Sequence, residues 1–236
     1  GSRECVRVAA RLARQYGALL IFDEVVTGFR IGLSGAQGYF GVDPDLTVFG
    51  KIIAGGYPGA GGVGGHADCM AHLGAGLDSS GKKVPKAMCG GTMAATPISC
   101  AAGYYTLCEI ERTNACEVAG RMGDRLTRGL QLLIKKYNLP FVAFNQGSIC
   151  HLDNAGTMHF CIDWKKPWTI PEILKQTGIR QKEMEHMGAA YMAEGIVTLA
   201  GSRLYTSAAY TEEMIDDVLS RFDRVFAGCG PLEVQP

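Results

Sequence analysis

The sequence has no imbalance of charge. Its 23 basic and 23 acidic side chains cancel to a formal net charge of zero. Nucleic acid, the partner that a basic stripe or tail would announce, is therefore not expected. Nor does any apolar run approach the roughly 18 uninterrupted residues of a membrane-spanning helix, so no membrane partner is expected either. The opening residues, GSRECVRVAARLARQYG, lack the apolar block of a signal peptide. They predict an amphipathic helix instead, with Cys5, Val8, Ala9, Leu12 and Tyr16 at helical spacing and Gly17 as its stop. The nine cysteines are odd in number and contain no CxxC pair. That pattern predicts reduced thiols and a cytoplasmic setting, not a disulfide framework. Cys100, Cys108 and Cys116 recur at intervals of eight in helical-looking sequence and are expected to point inward as small apolar groups. The five histidines (His66, His72, His151, His159 and His186) show no metal-ligand spacing, so no metal site is expected.

What is present is enough apolar sequence, 47% of 236 residues, for a sizeable core in one large domain or two smaller ones. ALLIFDEV (residues 18–25) is a continuous apolar run ending in two carboxylates, which suits a strand buried on both faces of a parallel sheet. A second strand is predicted at DLTVFG (residues 45–50), so that helix, strand, connection and strand follow one another in an α/β pattern. Thr96 and Pro97 open another helix as N-cap and first-turn residue, and a longer one is expected from about Cys116 to Tyr137. PFVAFN, MHFCIDW, GIVTL and RLYTSAAY read as later strands, and the last helix starts at Thr211, burying Ile215, Leu219, Phe222 and Phe226. The change from parallel-sheet pattern to long helix and α+β sequence places a boundary near residue 113.

Chemistry enters where Asp23 and Lys51 each close a predicted strand, 51 − 23 = 28 residues apart. If the two strands are parallel neighbours, both residues lie at the carboxyl edge of the sheet, where open α/β folds bind ligands. A lysine able to form a Schiff base and an aspartate able to pair with a protonated pyridine nitrogen are what pyridoxal 5'-phosphate requires. Each residue also has a plain structural reading: Lys51 as a solvated lysine after a strand, Asp23 as a carboxylate capping the next turn. An acid/base pair of Asp23 with Glu24 is disfavoured, because neighbours on a strand point to opposite faces. Gly59-x-Gly61-x-x-Gly64 matches the dinucleotide fingerprint, with Asp78 at a suitable distance, but no strand precedes it and Asp78 lies in a Gly/Ser loop. Its glycines read better as close-packed turns.

LLIFDEVVTGFRIGLSGAQGYFGVDPDLTVFGKIIAGGYPGAGGVGG resembles the central stretch of class III (fold type I) pyridoxal-phosphate-dependent aminotransferases. Within them it is nearest the branch containing glutamate-1-semialdehyde 2,1-aminomutase. DEV, TGFR, GAQ-x-YFG, PDL and GKIIAGG-x-P follow in order, and GGTMAATPISCAAGYYTL and LYTSAAYTEEMIDD resemble later segments. The resemblance implies residues 1–112 as the C-terminal part of the large cofactor domain, a mostly parallel sheet with helices on both faces. Residues 113–236 would then form a small C-terminal α+β domain. It implies Lys51 as the Schiff-base lysine, Asp23 on the pyridine nitrogen and Val25 against the cofactor ring. Thr92 would meet the phosphate across a dimer interface, so a homodimer with shared active sites is expected. Arg203 is a weaker candidate for a substrate carboxylate, its plain reading being a surface arginine at a strand start.

The activity implied is transfer of an amino group between an amine or amino-acid substrate and a keto acid or aldehyde. The alternatives are an intramolecular aminomutase of the glutamate-1-semialdehyde type, or a truncated non-catalytic relative acting as an interaction subunit. The N-terminal half of the family, which normally supplies the phosphate loop, has no counterpart among these residues, and Thr96 stands where the family usually has asparagine.

Overall fold

The computed structural model of the chain describes residues 2–74, 76–88, 90–154, 170–199 and 201–229, apart from the side chains of 2 and 170–180. The chain divides into two compact units, Gly1–Glu117 and Val118–Pro236.

In the first unit, helix α1 (Ser2–Gln15) leads through Gly17 at φ +65° to strand β1 (Ile21–Asp23). Among the described side chains of α1 only Ala10 is buried. The expected stripe leaves Cys5, Ala9, Leu12 and Tyr16 exposed. A loop and the short helix α2 (Gly35–Phe40) connect β1 to β2 (Leu46–Phe49), and the two strands pair in parallel with Ile21 opposite Leu46 and Asp23 opposite Val48. Strand β3 (Gly62–Gly65) then pairs with β2 in the opposite sense, Phe49 facing Gly62. A parallel return usually runs through a crossover helix, and the connection between β2 and β3 holds only a short 3-10 turn and a glycine-rich loop. The described three-stranded sheet, ordered β1-β2-β3, is therefore mixed, where the sequence predicts a mostly parallel one. Burial on both faces of β1 is likewise overturned: Leu19, just before it, and Ile21 are 59% and 54% exposed, since two-face burial needs a layer packed on each face and these side chains have none over them among the described residues.

Helix α3 (Ala67–Met70) follows β3, and α4 (Pro97–Arg112) begins at the expected proline. Thr96 occupies the cap position, but its hydroxyl meets Ser99 Oγ at 2.8 Å and takes no backbone N–H. Cys100 and Cys108 are exposed and Cys116 half-buried, contrary to expectation. Cys116 lies beyond the end of α4 at Arg112, and Cys100 and Cys108 sit where that helix is left uncovered among the described residues.

The second unit is α+β. Helix α5 (Ala115–Lys136) runs into it, followed by the hairpin of β4 (Val142–Gln146) and β5 (Ile149–Asp153). Gln146 pairs with Ile149 across a two-residue turn, where Gly147 takes φ +55° as such turns require. Helix α6 (Ile170–Ala193) precedes strand β6 (Arg203–Tyr205), antiparallel to β5, and α7 (Glu212–Gly228) closes the unit. Of the strand expected at RLYTSAAY only these three residues form. GIVTL contributes only a bridge from Leu199 to Arg203, and MHFCIDW lies outside the described residues. Thr211 caps α7 by accepting from Met214 N at 3.3 Å. The core joins Leu126 and Leu130 of α5, Cys150 and Leu152 of β5, Tyr191 of α6, and Ile215, Phe222 and Phe226 of α7. Phe222 has no exposed surface and stands 5.0 Å from the Tyr191 ring and 5.8 Å from Phe226.

On the other face of this sheet, Phe144, His151 and Arg203 form one cross-strand row. The Phe144 and His151 rings stack at 4.9 Å and 9°. Burial and the nearby Arg203 charge push the His151 imidazole below its ordinary pKa, against the pull of Asp153.

Replacing Phe222 by Ala removes a fully enclosed ring from this core and is expected to cost about 3–5 kcal/mol, read as a lower urea midpoint. The depressed His151 holds fewer protons folded than unfolded. The stability tied to its neutral form is therefore present above about pH 6.5 and lost as pH falls through the folded midpoint. Arg203→Met should move that midpoint upward in an NMR titration. An unmoved midpoint would remove Arg203 as a cause.

Candidate active site

Strand β2 delivers the chain to Gly50, which is fully extended, and then to Lys51 at φ +50°, the first residue of a 3-10 turn, Lys51–Ala54. A left-handed lysine is strained by about 1–2 kcal/mol and persists only where its surroundings hold it. Those surroundings are backbone. A Cβ on Gly103 of α4 would stand 1.9 Å from Ile53 O, and one on Gly55 would stand 2.5 Å from Ala102 C. The helix therefore lies directly on the turn that carries Lys51, and only glycine at both points permits it. On the opposite side a Cβ on Gly50 would stand 3.3 Å from Val25 Cγ1, so the Val25 side chain packs closely over the residue before the lysine.

Parallel pairing puts the ends of β1 and β2 at one edge of the sheet. Asp23 ends β1 opposite Val48, three residues before Lys51. Asp23 is exposed, and its Oδ1 accepts from Val25 N at 3.0 Å. A cavity of about 480 Å³ opens at this edge, with Val25, Val26 and Arg30 on one wall and Lys51, Ile52 and Tyr57 on the other. Lys51 is exposed and lines it directly. Val25 and Lys51 are thus brought together, with Asp23 at the adjoining strand end.

Thr92 is less close. It is exposed in a turn closed by Ala94 N donating to Gly91 O at 2.9 Å. That turn is tied to the glycine-rich segment after Lys51, since Ala95 N donates to Gly59 O at 2.6 Å, but Thr92 does not line the cavity. Arg203 belongs to the second unit, beside His151. The dinucleotide reading fails on context: Gly59, Gly61 and Gly64 run through a loop into β3, and the helix that follows, α3, has four residues.

Two cavity residues, Arg30 and Tyr57, were not singled out from sequence. Both lie within matched motifs, TGFR and AGG-x-P, but strand periodicity says nothing about which loop residues turn toward a cleft. Glu24 is the other omission. It is 2% exposed, with a buried carboxylate that faces away from Asp23. No cluster of histidine, cysteine or carboxylate side chains able to hold a metal exists among the described residues, and no described helix is long and apolar enough to cross a membrane.

A search of protein families matches the class-III aminotransferase model to residues 2–221. Among curated proteins, a glutamate-1-semialdehyde 2,1-aminomutase of Pyrobaculum neutrophilum is 34% identical over 224 residues, 95% of this chain and 49% of that protein. A Legionella pneumophila protein of the same name is 42% identical over 146 residues, 62% of this chain and 32% of its own. The chain spans about half the length of the curated relatives it matches over most of its own length. Among solved structures, an omega-transaminase from Sphaerobacter thermophilus superposes with a TM-score of 0.74 at 24% identity, over 95% of this chain and 48% of that one. A transaminase with PLP bound superposes at 0.71 and 23% identity, over 92% and 46%. At these identities the structures testify to fold alone, and it is the sequence match across residues 2–221 that shows the chain to belong to the class-III aminotransferase family.

Proposed function

We propose that this chain carries the lysine-bearing part of an enzyme that uses pyridoxal 5'-phosphate to move an amino group between an amine or amino acid and a keto acid or aldehyde. The observation that carries the reading is the edge where β1 and β2 end together, with Asp23 on one strand, Lys51 just beyond the other and Val25 on the cavity wall between. The residues present fit the ring end of the cofactor: a primary amine, an apolar wall and a carboxylate at the adjoining strand end. When bound, the cofactor supplies an electron sink for the carbon next to the substrate nitrogen.

The chain's own part follows from its groups. Lys51 Nζ would hold the cofactor at its aldehyde carbon. Once displaced by substrate amine, the same Nζ is free to take the proton from substrate Cα and return it elsewhere, as general base and then acid. The strained turn under Lys51 fixes where that amine starts from. Asp23 would accept the N–H of the protonated ring nitrogen and keep it protonated. Val25 would cover one ring face. Thr92 would serve the phosphate of a partner subunit's site in a homodimer, which agrees with its place outside the cavity beside its own Lys51. Arg203 would receive a substrate carboxylate. In the proposed assignment, residues 1–112 are the end of the large cofactor domain and 113–236 the small domain.

A second reading, an intramolecular aminomutase, is favoured by the names of the curated relatives cited above.

An absorbance spectrum of the protein as its source makes it, with added pyridoxal phosphate, tests the cofactor. A long-wavelength band removed by borohydride, with the reduced adduct mapped to Lys51 and missing from Lys51→Ala, is expected. Amino-group transfer should fall by about 10²–10⁴-fold in Lys51→Ala, the range for a lost acid/base group. Asp23→Asn should keep the adduct and lose most of the turnover. No band in folded protein would sink the catalytic reading. With a band present, a free keto acid product accompanying amine consumption marks a transaminase, and its absence during isomerisation marks an aminomutase.

A further inference from the structure

Between Asp23 and Val25 stands a carboxylate that the proposed chemistry does not use. Glu24 Oε2 accepts from Thr27 Oγ1 at 2.6 Å, while Oε1 accepts from Ala36 N at 2.5 Å and from Gln37 N at 3.3 Å. The backbone of the same residue is engaged at both ends, its N–H donating to Val48 O at 2.8 Å and its carbonyl accepting from Gly28 N at 3.0 Å. Gly35 takes φ +56°, and a Cβ there would stand 2.6 Å from Oε1, so the carboxylate reaches its partners only past a glycine. Glu24 is thus joined on one side to the strand that leads into Lys51. On the other it ties residue 24 to residues 36 and 37 and closes the loop between them. The near part of that loop, Val25, Val26 and Arg30, is one wall of the cavity, and Lys51 stands on the other.

We infer that Glu24 is a positioning residue, whose buried carboxylate closes the 24–37 loop into a fixed wall and thereby sets the place of Val25 and Arg30 against Lys51. It does not reach the reacting atoms, because it does not line the cavity. The role toward the cofactor rests on the reading above, whereas the closure of the loop does not. A carboxylate suits the task since it is an acceptor at both oxygens, and it faces three donors here with no competing donor of its own. A wall held this way is fixed before any ligand arrives, as a precise site requires.

The test compares Glu24→Ala, Glu24→Gln and Thr27→Val with the unaltered protein, using two readouts. The first is hydrogen exchange. Glu24→Ala should speed exchange of the Ala36 and Gln37 amides at least tenfold while leaving β2 amides (Leu46–Phe49) at their original rates. The second is the rate at which added pyridoxal phosphate forms the borohydride-fixed adduct at Lys51, expected to fall by about tenfold, the lower end of what lost supporting contacts cost at metal sites. Glu24→Gln keeps one oxygen for the two amides and can donate to Thr27, so it should restore most of both. Thr27→Val removes one bond and should fall between, and it serves if Glu24→Ala does not fold. Loop exchange and adduct rate unchanged in Glu24→Ala and Thr27→Val would overturn the proposal. So would a uniform rise in exchange across β2 and the loop with no rescue by Glu24→Gln, since that marks a structural contact only. No adduct in the unaltered protein would sink the cofactor reading alone and leave exchange to decide the loop. An adduct there with an unchanged rate in the variants would sink the present inference alone.

Discussion

The first unit depends on the register of one short parallel ladder. Three residue pairs, from Ile21 with Leu46 to Asp23 with Val48, and the further bond from Glu24 N to Val48 O decide which way each later side chain points. Side chains alternate along a strand, so a slip of one residue exchanges the faces of everything attached. Asp23 would turn to the side that Glu24 now occupies, and Glu24 would leave the donors at Ala36 and Gln37. The two adjacent carboxylates have opposite fates for this reason alone: one exposed at the strand end, the other enclosed.

The second constraint is close approach of backbone to backbone. Around Lys51 three glycines take the place that side chains would fill elsewhere: Gly50 beneath Val25, Gly55 beneath α4, and Gly103 on α4 itself. Gly55 and Gly103 let two segments meet at a distance no other residue allows, and at Gly50 a Cβ would fit only tightly against Val25. The result is a turn fixed by peptide groups, which have little freedom to rearrange, and not by long side chains, which have much. In the second unit order is maintained by the opposite means, through large rings such as Tyr191, Phe222 and Phe226 filling an enclosed space.

Much of this was legible in the sequence. The strands at 21–23 and 46–49, the helix beginning at Pro97 and the buried stripe of α7 follow from apolar runs, a proline and a spacing of three and four. The parallel relation of β1 to β2 was conditional in the sequence and is explicit in the structure. The sense of β3 was not readable, because Gly62–Gly65 has hardly any side chains and so no periodicity to read. The exposed Cys100 and Cys108 were misjudged because a small apolar residue marks an inward face only when its helix has something to pack on. What was legible of the candidate site is placement: Lys51, singled out for its functional group, lines the cavity, and Asp23 ends the adjoining strand. It was obscure where loop closure decides, as at Arg30, Tyr57 and Glu24.

The left-handed backbone at Lys51 sets this position's stability against its chemistry. At φ +50° glycine is at ease, and asparagine nearly so, while lysine is among the residues that the conformation resists. A search for more stable versions of this chain would therefore replace Lys51 early, and the gain in folding would be bought with the one primary amine on the cavity wall. Stability and the proposed activity have their optima in different sequences here, and the difference is concentrated in one dihedral angle.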